Sequence, residues 1–163
     1  MPDTPEERAL ALVRSCEDAT KLKQIAQNAH ARGAFEVEHA ALLKLYSLLP
    51  SAKPGTLEHD VWQSIYALEG ALKAERDKTI LLARTRQKIG RDGELKTVSD
   101  LVTGNESSGF HMLIERGMPQ LTFEAVALRH PGRFEPAVLE AARARLRAAK
   151  VAPSVSGSTD DAE

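Results

Sequence analysis

The chain is poor in cysteine, with Cys16 as its single example among 163 residues. One thiol cannot form a disulfide within the chain, and it cannot supply an all-cysteine zinc site. No nucleophile motif surrounds it, and a lone cysteine on an apolar helix face usually serves packing. The sequence therefore excludes a fold held by internal disulfides and gives no support to thiol chemistry.

Long hydrophobic runs are also missing. No window approaches the roughly 18 apolar residues that a membrane span requires. The first nine residues contain no basic segment followed by an apolar run, which is the pattern of a secretory leader. We therefore expect a cytoplasmic protein without a membrane partner.

Aromatic residues make up only 4% of the chain, whereas alanine is abundant. Strands are built largely from β-branched and aromatic residues, and alanine favours helices that pack closely together. The hydrophobic share of 42% and the charged share of 28% are ordinary for a globular protein, so a folded core is expected. The fold class predicted is all-α, a helical bundle of about seven helices in two lobes that share one long helix.

The predicted long helix covers residues 56–89, a stretch without proline. At about 1.5 Å per residue it would span roughly 50 Å. Apolar residues recur at alternating spacings of three and four, and polar residues at Glu75, Thr79 and Arg86 interrupt that seam. The seam consists of Val61, Ile65, Leu68, Leu72, Leu82 and Ile89.

Charge and apolar clustering suggest how the chain is divided. Apolar residues dominate both ends of the long helix, and residues 75–78 between them are all charged. We expect an N-terminal lobe at 1–72, an exposed helical bridge at 73–79 and a basic C-terminal lobe at 80–150. The small-residue, acidic tail at 151–163 is predicted to be disordered.

Capping and breaking residues predict the other helices. Thr4 and Glu7 form a capping box around Pro5, and Gly33 ends a helix that begins near Asp18. The predicted helices cover about 5–15, 18–32, 34–49, 97–102, 108–117, 122–130 and 136–150. The caps predicted for three of these helices are Thr97, either Ser107 or Ser108, and Thr122. The Asp92-Gly93 pair is in addition compatible with a short β-hairpin near residues 89–98.

Residues 22–50 resemble a single tetratricopeptide-type helix pair, with small residues where two helices cross and a proline at the end. The resemblance implies a peptide-binding groove. Glu38 departs from the pattern, because a small residue is expected there. A generic antiparallel helical hairpin explains the same residues, which are Leu22, Ile25, Ala26, Ala29, Gly33, Phe35, Leu42, Leu45 and Pro50.

Positive charge is concentrated in the second half, where residues 76–150 contain fourteen lysines and arginines against nine acids. Such a cluster attracts anions, and Lys and Arg bind nucleic-acid backbones by releasing counterions. Cations near helix C-termini and on solvated faces are the alternative interpretation. The candidate contacts to DNA or RNA backbone are Arg84, Arg86, Lys88, Arg91, Arg143, Arg145 and Arg147.

The sequence gives no positive sign of catalysis, since it contains neither a glycine-rich phosphate loop nor a nucleophile elbow. Glu36 and His39 form half of a di-iron carboxylate pattern that has no second half, so no metal site and no cofactor are predicted. Two non-enzymatic functions remain open. The first is binding of a nucleic-acid backbone, and the alternative is a protein-interaction or assembly module. That module would use the N-terminal hairpin or the long helix, with a larger protein or a homodimer as partner.

Overall fold

A computed structural model describes residues 4–150 and is all-α, as predicted. Within these residues there are nine α-helices, two short 3₁₀ turns and no β-strand. No helix of this range is long and apolar enough to cross a membrane. The helices are α1 Pro5–Ser15, α2 Ala19–Arg32, α3 Phe35–Leu48, α4 Leu57–Arg76, α5 Ala83–Asp92, α6 Glu94–Thr103, α7 Ser108–Glu115, α8 Phe123–Arg129 and α9 Pro136–Ala148.

Most helix starts follow the local signals of the sequence. Thr4 accepts a hydrogen bond from the backbone N–H of Glu7, whose side chain accepts one from the N–H of Thr4. This is the predicted capping box. Side-chain caps begin three further predicted helices, at Asp18, Ser107 and Thr122.

The chain divides into two compact units between Pro54 and Gly55. The first unit holds α1, α2 and α3, and α3 packs against both of the others. Gly33 has a φ of 72° and ends α2, because glycine adopts the left-handed region without steric cost. The predicted helical hairpin is therefore present as α2 and α3.

The second unit holds α4 to α9. Helix α4 packs against α6, α7 and α8, and α9 covers α6 and α8. Apolar residues from five of these helices and the turn before α9 form the main buried core. Burial of apolar surface stabilises a fold by about 25 cal/mol per Å², so this core is the main source of stability. These residues are Leu57, Val61, Ile65, Ile89, Val98, Val102, Val126, Ala127, Phe134, Val138 and Ala142.

The prediction of one long helix at 56–89 is wrong. Helix α4 ends at Arg76, and α5 begins at Ala83. Asp77 adopts the left-handed region with a φ of 55°, a conformation that costs a non-glycine residue roughly 1–2 kcal/mol. The whole of α4 belongs to the second unit, so the two units do not coincide with lobes arranged on a shared helix. The count of about seven helices is accordingly too low.

The short β-hairpin considered as an alternative near residues 89–98 is absent, because α5 and α6 cover this stretch. Gly93, with a φ of 88°, separates α5 from α6, and helix follows on both sides. Thr97 is not a helix cap, because α6 already begins at Glu94 and Thr97 is fully buried inside it. The tail predicted to be disordered, residues 151–163, lies outside the described residues.

Candidate functional site

The structure divides the predicted basic residues into internal and exposed groups. Arg86 belongs to the first group: its Nε lies 2.7 Å from Glu69 Oε2, and its Nη2 lies 2.8 Å from Glu69 Oε1. Its guanidinium carbon lies 5.2 Å from the ring centroid of Trp62 and 5.8 Å from that of Tyr66. The hydrogen bond to Glu69 raises the pKa of Arg86. This cation is already paired within the fold.

Lys88 is partly exposed, and its charge is also paired within the fold. Its Nζ lies 2.7 Å from Asp100 Oδ2 and 3.0 Å from Asp92 Oδ2. Hydrogen bonds to these carboxylates raise the pKa of Lys88, and the lysine in return lowers the pKa of both aspartates. The charge of Lys88 is thus balanced by α5 and α6.

Arg145 lies deeper, with 11% of its side chain exposed against 5% for its partner Glu124. Its Nη1 donates to Glu124 Oε2 at 2.6 Å and to the carbonyl of Leu101 at 3.3 Å, and its Nη2 donates to the carbonyl of Gly104. Burial raises the pKa of Glu124, although the hydrogen bond from Arg145 acts in the opposite direction. Arg145, which lies on α9, therefore connects the end of α6 with α8 through its hydrogen bonds.

The four remaining predicted arginines are exposed. Within residues 4–150, no ion pair is found for Arg84 or Arg147, whereas Arg91 and Arg143 each have one acidic neighbour, at 3.3 and 3.5 Å. Positions seven apart on α5 and four apart on α9 share a helix face. These residues form two arginine pairs, Arg84 with Arg91 and Arg143 with Arg147. Both helices pack against α6.

A cavity of about 210 Å³ lies within the second unit. All six helices of the second unit and the residue before α5 line it, mainly with apolar side chains. The apolar lining residues are Leu68, Leu72, Leu82, Leu101, Phe110, Met112, Leu113 and Phe123. The paired Glu124 and Arg145 also contribute to the lining, so the cavity adjoins the deepest ion pair of the basic set.

Other polar residues of the cavity are of two kinds. The Thr122 hydroxyl donates to the carbonyl of Pro119 and accepts from the N–H of Ala125, and Ser107 caps α7. These hydroxyl groups serve the local fold. Asn105 and Ser108 also line the cavity and are exposed, which places polar groups at its solvent side.

Gly109 determines how closely two walls of this cavity approach each other. A Cβ atom at this position would lie 2.9 Å from Leu68 Cδ2, closer than real carbon atoms approach. The absence of a side chain therefore allows α7 to pack against α4 beside the cavity.

The size of the cavity restricts what it can hold. Sites for cofactors and drug-sized ligands measure about 300–1,000 Å³ and bury most of the ligand. A volume of about 210 Å³ is smaller, and it suits one apolar side chain or a small apolar group. Within the described residues, no group of three or more His, Cys, Asp or Glu side chains could hold a metal ion.

Comparisons with protein-family models, curated proteins and solved structures give no significant match. The cavity was not among the sequence predictions, because its walls come from residues 68–145 and no local motif connects them. The helix start at Ser107 was the one local signal near it, and it predicted a cap, not a binding site.

Proposed function

We propose that the chain is a protein-interaction module whose second unit receives an apolar side chain of a partner protein in the cavity. The supporting observation is an apolar cavity, about 210 Å³ in volume, with exposed polar groups at Asn105 and Ser108. Interface hot spots have this form, since a few anchors in desolvated pockets carry most of the binding energy. The polar residues would orient the backbone that presents the anchor.

The chemistry of the lining supports binding over catalysis. The Thr122 and Ser107 hydroxyls already serve as helix caps, and the Glu124 carboxyl group is held by Arg145. A nucleophilic hydroxyl requires an adjacent base that takes its proton, and the Thr122 hydroxyl donates to the carbonyl of Pro119 instead. A recognition role needs only the shape and polarity of the walls.

A peptide library displayed on phage tests the proposal, with the full chain as the target. We expect selected peptides to share one apolar residue and to shift the methyl NMR signals of Leu68, Leu72 and Leu101. Leu72→Trp should abolish this binding by filling the cavity. Leu12→Trp is the matched control, because Leu12 is exposed on α1 in the other unit. Equal binding by both variants, or methyl shifts confined to other residues, would contradict the proposal.

A second candidate function is contact with a nucleic-acid backbone through the two arginine pairs. It is favoured by their exposure and by the absence of ion pairs for Arg84 and Arg147 within residues 4–150. Arg86, Lys88 and Arg145 are left out of this smaller interface, because their charges are paired internally. Phosphate contact of this kind would be independent of base sequence.

An electrophoretic shift at low salt tests this second candidate. The double variant Arg84→Glu/Arg147→Glu should weaken binding strongly, and the salt dependence of the affinity should fall by about one unit of slope per lost contact. The matched control is Lys21→Glu/Lys23→Glu, which changes net charge equally on exposed positions of α2. A wild-type protein that forms no complex with DNA or RNA at low salt would exclude this function.

A further inference from the structure

The six residues between α4 and α5, here called the connector (residues 77–82), have a sequence that permits a helix. They read DKTILL and include neither proline nor glycine. Residues 77–79 are exposed and Leu81 is 57% exposed, so packing holds the connector mainly at Leu82, which contacts the core. Three of the six residues, Lys78, Leu81 and Leu82, are good helix formers, and none of the other three prevents a helix. A continuous helix is therefore open to this segment where the structure has a bend.

Side-chain contacts from α4 hold the bend. Glu69 Oε2 accepts the backbone N–H of Leu82 at 2.8 Å, and both Glu69 oxygens accept hydrogen bonds from Arg86. We call these contacts the latch. The latch positions the start of α5 beside α4, and Asp77 turns the chain through its left-handed conformation.

Two forms of the connector therefore compete. The bent form gains the latch, but Asp77 stays in the left-handed region and no residue from 78 to 82 is helical. The straight form would lose the hydrogen bond from the Leu82 N–H to Glu69, and it would gain helical hydrogen bonds and an ordinary φ at Asp77. A hinge that stores strain in this way is a known route to domain swapping.

We infer that opening of the latch joins α4 and α5 into one helix, and that two copies of the chain then exchange the segment α5 to α9. In such a dimer, α4 of one copy packs against α6, α7 and α8 of the other. The core contacts of Leu57, Val61 and Ile65 are kept, because the same surfaces meet. Only the connector changes its conformation, and the contact between Glu69 and Arg86 re-forms between the two copies.

The exchange has a consequence for the cavity. Leu68 and Leu72 lie before the connector, and Leu101, Phe110 and Phe123 lie after it. In the swapped dimer each cavity would therefore be built from both copies. This inference depends only on the connector and the latch, and it holds whether or not the cavity binds a partner.

The experiment compares full-length variants by size-exclusion chromatography with light scattering, after refolding at low and at high protein concentration. Glu69→Gln keeps the size of the side chain and removes the charge that strengthens the hydrogen bond from the Leu82 N–H, a bond that only the bent form makes. We expect it to raise the dimer fraction at high concentration several-fold over the wild type. The matched control is Glu75→Gln, an exposed position on α4, which should leave the fraction unchanged.

Two further variants separate a swap from simple surface association. Thr79→Pro in the Glu69→Gln background blocks a helix through the connector, so it should restore the monomer. Asp77→Gly in the same background relieves the left-handed conformation and should lower the dimer fraction. The inference is overturned if Glu69→Gln remains monomeric like the wild type. It is overturned equally if the proline variant forms as much dimer as Glu69→Gln alone.

Discussion

Two junctions of the second unit use the same pair of residue types in opposite ways. Between α4 and α5, the Glu69 carboxylate is the centre and accepts hydrogen bonds from the Leu82 N–H and from two nitrogens of Arg86. Between α8 and α9, the Arg145 guanidinium is the centre. It donates to Glu124 and to the carbonyls of Leu101 and Gly104.

Burial distinguishes the two pairs further. Arg86 has 31% of its side chain exposed and rests on Trp62 and Tyr66, whereas Arg145 and Glu124 are both largely enclosed. Water can replace part of a lost contact at the first junction but little at the second. The comparison shows that the cost of removing a charged residue depends on its partners and burial, more than on the type of pair.

The largest effect is expected from Arg145→Ala. It leaves the Glu124 carboxyl group buried without its partner and removes a donor from two carbonyls. Breaking a buried ion pair by removing one partner typically costs about 3–5 kcal/mol of unfolding free energy. Urea unfolding should show this loss. Arg147→Ala on the same helix should stay within about 0.5 kcal/mol of the wild type, because Arg147 is exposed.

Glu69→Gln should have a smaller effect on stability. The variant keeps one acceptor oxygen and loses charge-assisted hydrogen bonds, each of which contributes about 1.5–3 kcal/mol. Because Arg86 is partly exposed, we expect a loss toward the lower end of that range. Urea unfolding at low protein concentration measures it without association. A loss as large as that of Arg145→Ala would remove the contrast between the two junctions.

The Glu124–Arg145 pair should also make the stability of the protein depend on pH. Burial raises the pKa of Glu124 above its ordinary value of 4.5, so the folded state retains this proton longer than the unfolded state. The protonated Glu124 side chain makes its full contribution to stability below its pKa in the unfolded state. That contribution is lost as pH rises through the pKa in the folded state. Relative to Glu124→Gln, the wild type should lose stability as pH rises above about 4.5. If the melting temperatures of the wild type and of Glu124→Gln change in parallel from pH 4 to pH 7, this prediction is wrong.

The smallest effect is expected at the surface pairs of Lys88. Hydrogen bonds from Lys88 lower the pKa of Asp100 and Asp92, so their contribution is present above the ordinary value of 3.8 and is lost as pH falls through the folded pKa. The contribution of these aspartates to stability therefore changes with pH in the opposite direction to that of Glu124. Lys88→Gln should move the midpoint of acid unfolding slightly to higher pH. An unchanged midpoint would mean that these exposed pairs contribute nothing measurable.

Local signals in the sequence were sufficient for the fold class and for most helix starts. Thr4 and Thr122 cap helices as predicted, and Ser107 is one of the two caps predicted for α7, because a cap depends on the three or four residues that follow it. The prediction of a helix cap at Thr97 was wrong. The same local pattern was present, but helix α6 began three residues earlier and buried the residue.

Contacts between residues distant in sequence were not predictable. The bend after α4 depends on Glu69 and Arg86, seventeen positions apart, and the connector contains no proline or glycine that would mark the end of a helix. Arg145 meets Glu124 across twenty-one positions. For this reason the exposed and the internal cations of α5 and α9 could not be told apart in the sequence.

The turn that precedes α4 has a consequence for cleavage of the chain. Ser51, Lys53, Pro54 and Gly55 are exposed, and the boundary between the units falls before Gly55. Thr56, the residue after it, caps α4 through the N–H of His59, and Thr4 caps α1 in the same way. Limited proteolysis after Gly55 would therefore cut the chain into two fragments, each of which retains the cap that begins its first helix.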